Sequence, residues 1–63
     1  MKNNADAARI GDKVIGTDIR SGDSFYGDVE FIEPNVAFGL SLYYVRNAIS
    51  HTVVAMDDPV RMA

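Results

Sequence analysis

Alternation of apolar and polar residues is the strongest signal along this chain. Phe25, Gly27, Val29 and Phe31 alternate with Tyr26, Asp28 and Glu30, which is the period of a half-buried strand. Gly27 inside that run predicts a bulge or a sharp bend, the device by which small sheets curl. Upstream, Gly11-Asp12 is a turn signal, and Lys13 to Ile19 (KVIGTDI) carries β-branched residues at strand density. Arg20-Ser21-Gly22-Asp23 gathers turn formers into a loop between these two strands. Downstream, Glu33-Pro34-Asn35 predicts a turn, because proline fixes its own φ and restricts the residue before it. Val36 to Val45 then reads as a third strand. It has Val36, Phe38, Leu40, Leu42 and Tyr44 on one face and Ala37, Gly39, Ser41, Tyr43 and Val45 on the other. Arg46-Asn47 turns the chain into a fourth strand, Ile49 to Met56, and Asp57-Asp58-Pro59 breaks it before a short closing strand, Val60 to Met62.

Short strands separated by polar turns, with no helical period, describe an all-β chain. At this length a small antiparallel five-stranded barrel is the economical closure, since joining the sheet to itself removes unpaired edges. The expected core is Val14 or Ile15 with Val29, Phe31, Phe38, Leu40, Leu42 and Val53. Residues 1–9 read as an N-terminal tail, flexible or forming one helical turn capped by Asn4, and residues 10–63 as a single domain.

Composition narrows the chemistry. The chain has 63 residues and no cysteine, so neither disulfides nor thiolate zinc sites can support a core this small. Tight barrel closure, self-association or a partner is the expected support, with a homodimer as the simplest closed form of association. The net charge of −3 opposes direct nucleic-acid binding, which needs clustered Lys and Arg. No apolar stretch approaches the roughly 20 residues of a membrane helix, and Met1 to Ile10 has no apolar signal core, so a cytoplasmic protein that does not contact membrane is expected.

The opening I-G-D-K-V, followed by a turn loop and F-Y-G-D-V, resembles the start of SH3-like barrels, including KOW-type domains. There a Gly-Asp turn introduces the first strand and an aromatic-Gly-x-Val segment forms the second. The resemblance covers residues 10 to 32 and implies an SH3-like barrel with, in KOW domains, a nucleic-acid or ribosome-associated role. The Lys and Arg surplus of that role is missing, since only Lys13, Arg20, Arg46 and Arg61 lie outside the tail. Gly11-Asp12, Gly27-Asp28-Val29 and Tyr43-Tyr44-Val45 are also similar to segments of the plasmid-borne type II dihydrofolate reductases, oligomeric enzymes with an intersubunit site. Their Val-Gln-Ile-Tyr pore segment is replaced here by Ser50-His51-Thr52-Val53, which removes most of that case.

No phosphate loop, dinucleotide fingerprint, HExxH or EF-hand loop is present, so no catalytic residue, metal ligand or cofactor is assigned. His51, the one histidine, is placed on a strand with Ser50 and Thr52 facing away from it, which leaves it a structural or partner-contact role. Asp57-Asp58 before proline reads as a turn. Asp28 and Glu30 share a strand face with Tyr26, and Asp18 and Asp23 flank the loop expected nearby, giving an acidic and aromatic patch. Tyr43, or Tyr44 beside it, is the expected anchor of a second, apolar surface on the third strand. The resulting expectation is a non-enzymatic protein-binding module that engages a basic surface. In general look it resembles the short acidic proteins that phages and mobile elements direct against host nucleic-acid machinery such as a CRISPR effector, a restriction enzyme or a polymerase.

Overall fold

The computed structural model describes residues 8–37 and 39–62. Within them the chain is all-β, with β1 Lys13–Thr17, β2 Ser24–Ala37, β3 Leu40–Arg46, β4 Val53–Met56 and β5 Val60–Arg61. The strands form one antiparallel sheet in the order β4-β3-β2-β1-β5. The β4 edge curls back towards the exit of β1. There the Ile19 N–H donates to the Ala55 carbonyl at 3.0 Å, and the Thr17 N–H donates to Asp58 Oδ1 at 2.9 Å. The residues expected to form an N-terminal helical turn around Asn4 lie outside the described residues, as does Phe38.

The core is small and contains Val14 and Val29 as expected, but its other members differ from the expected ones. Val14, Val29, Val45 and Met56 are fully buried, joined by Ala8, with Phe25, Ile32, Tyr43 and Val54 packed against them. Burying each large side chain contributes about 1.5–3 kcal/mol. Val14 rather than Ile15 is the inward residue of β1, and Ala8, assigned by sequence to the tail, belongs to the core. Phe31, Leu40 and Val53 are exposed instead of buried, at 56%, 49% and 40%, and Leu42 is half-buried outside the core cluster.

The first of two register shifts between β2 and β3 accounts for Phe31. Val29 pairs with Val45, but the next pair is Phe31 with Tyr44, so two steps on β2 oppose one on β3 and Glu30 is the extra residue. A bulge of this kind reverses which face each later residue occupies. After it Ile32, not Phe31, faces inward beside Tyr43, and the core face of β3 is the odd one, Tyr43 and Val45. The bulge thus falls three residues after Gly27. Gly27 itself permits a close backbone approach. A Cβ there would collide with the Arg46 carbonyl and lie 3.0 Å from the Asn47 nitrogen, so two backbone segments meet where only hydrogen fits.

Element boundaries also move. β2 runs through Pro34 to Ala37 rather than turning there. Proline is tolerated because β1 pairs with β2 only from Ser24 to Asp28, and beyond that point Pro34 has β3 alone as a strand neighbour. The chain reverses at Gly39, whose φ of 77° is the left-handed conformation that glycine adopts without penalty. β1 ends at Thr17, β5 at Arg61, and β4 begins only at Val53, leaving His51 in the preceding turn.

Candidate functional site

The six residues singled out by sequence fall into three places. Tyr26 and Asp28 lie on the outer face of β2, where Tyr26 pairs with Ile15 and Asp28 with Lys13 on one side and Arg46 on the other. Glu30 projects from the bulge and reaches the same Arg46. Two ion pairs result, Lys13 Nζ to Asp28 Oδ1 at 3.2 Å and Arg46 to Glu30, the latter engaging both guanidinium Nε and Nη2. Glu30 raises the Arg46 pKa further above its ordinary value, chiefly through this hydrogen bond. The acidic face expected on β2 is therefore a neutralised ladder, Lys13–Asp28–Arg46–Glu30.

Asp18 and Asp23 stand apart from that ladder, at the two ends of the β1–β2 loop. The Asp18 N–H donates to the Asp23 carbonyl at 2.9 Å, and Asp18 Oδ1 accepts the Arg20 N–H at 2.9 Å, closing a side-chain turn. The loop lies along the outer edge of β4, where Asp18, Arg20 and Ser21 face Tyr44 and Thr52 to Ala55 across a groove. The bond from the Thr17 N–H to Asp58 brings the β4–β5 turn against the start of this loop. Asp18, Asp23, Asp57 and Asp58 are thus drawn to one end of the sheet, with Arg20 as the cation in the loop. Asp57 and Asp58 do end β4 as expected, in a bend before β5. Their part in an acidic end was missed because it depends on contact between Thr17 and Asp58, 41 positions apart in sequence.

Tyr43 is half-buried and packs against the core, so it is not the exposed anchor of β3. The outer-face aromatic is Tyr44, tilted 46° against Phe31 with ring centroids 5.8 Å apart. Its hydroxyl donates to Glu33 Oε1 at 3.0 Å, and this hydrogen bond pushes the Tyr44 pKa above the ordinary tyrosine value. Phe31 is the residue that alternation misplaced, because no local signal marks Glu30 as a bulge.

The β3–β4 turn is the most heavily bonded loop. Asn47 donates its N–H to the Thr52 carbonyl and its Nδ2 to the Tyr26 carbonyl, while its Oδ1 accepts the Ile49 and Ser50 N–H groups. The His51 N–H donates to the Asn47 carbonyl, and Arg46 Nη1 to the His51 carbonyl. His51 holds φ at 61°, uncommon for a residue other than glycine, and its side chain is exposed.

Among the described residues no polar or charged side chain is buried, and no three His, Asp or Glu side chains converge to hold a metal ion. No helix among them is long and apolar enough to cross a membrane. No protein-family model, curated protein or solved structure matches the chain.

Proposed function

We propose that this chain is a cytoplasmic protein-binding module that offers its acidic end to a basic surface of a partner protein, in the manner of a small inhibitor of nucleic-acid-handling machinery. The observation that carries this reading is the separation, among the described residues, of acids held in ion pairs from acids outside them. Asp28 and Glu30 are neutralised by Lys13 and Arg46, whereas Asp18, Asp23, Asp57 and Asp58 are gathered around one end of the sheet. Carboxylates spread over a surface rather than converged on a point steer a basic partner instead of chelating a cation. Half-buried Tyr44, which lines the groove that the loop forms, and exposed Phe31 packed against it supply apolar contact next to that charge. The curled meander, with β5 returning beside β1, supports an SH3-like barrel as its frame.

The test is affinity capture from host lysate with the wild-type chain and with Asp23→Lys/Asp57→Lys, two exposed positions whose side chains make no hydrogen bond among the described residues. The reading expects a stoichiometric partner with a basic surface on wild type and its loss on the variant. Retention of that partner by the variant would contradict it.

A further inference from the structure

We propose that two copies of the chain pair through the outer face of β5, β1 and β2, around a two-fold axis close to Ile15. Ile15 is flanked in register by Val60 on one side and Tyr26 on the other, and all three are exposed, at 42%, 63% and 51%. Tyr26 in turn walls a pocket of about 240 Å³ together with Ile49 and Met62. Ile49 is 84% exposed on the turn whose backbone Asn47 fixes with its hydrogen bonds, so a large apolar side chain stands in water on an ordered turn. A continuous apolar strip of this kind on a small soluble chain marks a contact surface. Preorganisation lowers the entropy lost when it is covered.

Charge identifies the occupant as a second copy. The strip is bordered by Lys13 and Asp28, adjacent residues of opposite sign, each substantially exposed. A uniformly basic partner would meet Lys13 as a like charge. A two-fold axis instead sets Lys13 of each copy against Asp28 of the other, the self-complementarity that an isologous interface requires. The pair within one chain is an exposed one, which contributes only about 0–1 kcal/mol, so its members are free to exchange partners. This face is also the neutral part of an acidic molecule, where two copies repel least. It uses residues other than the acidic end, so either surface stands if the other fails.

Sedimentation velocity across a concentration series, combined with a mixing experiment, tests the pairing. Wild-type protein is expected to dimerise at roughly tens of micromolar, and Ile49→Asp to weaken the dimer about tenfold or more. Lys13→Glu leaves only acids at the charged border and Asp28→Lys only cations, so each variant alone is expected to be monomeric. Their equimolar mixture is expected to recover a dimer, because both cross-pairs are again of opposite sign, and recovery also shows that both variants are folded. Wild-type protein that remains monomeric at hundreds of micromolar overturns the proposal. So does a dimer indifferent to Ile49→Asp, or a mixture no more associated than its components.

Discussion

Phe31 leans on Tyr44 across the outer face of the sheet, ring centroids 5.8 Å apart, although strict alternation from Val29 would have turned it inward. An aromatic pair of this kind contributes about 0.5–1.5 kcal/mol, whereas truncating a buried methionine to alanine costs about 2–5 kcal/mol. Phe31→Ala is therefore expected to melt cooperatively a few degrees below wild type. Met56→Ala is expected to be largely unfolded, since a domain of this size has only a few kcal/mol in reserve. Thermal melts followed by circular dichroism decide it, and the reverse order would return Phe31 to the core.

Gly27 sits where the Arg46 carbonyl leaves no room for a Cβ. Because the obstacle is backbone, Gly27→Ala must displace the end of β3, and overpacking of this kind costs about 1–3 kcal/mol. A denaturant midpoint equal to wild type would show that the two segments are further apart than described.

His51 occupies the left-handed region at φ 61° with an exposed side chain. His51→Gly is expected to leave stability unchanged or raise it by up to about 1 kcal/mol, equivalent to several degrees in Tm, while the β-branched His51→Val lowers it. If the glycine variant is as stable but pairs or binds less well, the imidazole acts at an interface. Destabilisation by glycine would give it an unrecognised structural contact.

The Tyr44 hydroxyl donates to Glu33, and the phenol pKa is raised for that reason. A group whose pKa is raised on folding stabilises the fold while it is protonated. The contribution is thus fully present below the ordinary tyrosine value of about 10 and is lost as pH rises through the raised one. Glu33→Gln is expected to lower the Tyr44 midpoint in an NMR titration of its ring; an unmoved midpoint would show that the hydrogen bond does not persist in solution.

Much of the fold was legible because it is local. Turn residues at Gly11-Asp12, Arg20 to Asp23, Arg46-Asn47 and Asp57 to Pro59 punctuate strands of β-branched and aromatic residues, and the five-stranded antiparallel sheet follows from them, although the β2–β3 reversal was expected at Glu33-Pro34-Asn35 and lies at Gly39. What alternation cannot carry is phase across a bulge. One extra residue at Glu30 exchanged the faces of Phe31 and Ile32 on β2. β3 was apolar on both faces and gave no independent signal to correct the assignment. The acidic residues were read correctly as surface, but their grouping was not. Lys13 and Arg46 become neighbours of Asp28 only through strand register, and Asp58 reaches Thr17 only once the sheet has curled.

The most direct test of the acidic end is the association rate between this chain and the partner it captures, measured by stopped flow at low and high salt for wild type and Asp23→Lys/Asp57→Lys. Steering by exposed carboxylates predicts a wild-type rate that falls steeply as salt screens the charges, and a variant that is slow at both salt levels. Equal rates for the two proteins, independent of salt, would contradict the claim that this end finds its partner by charge.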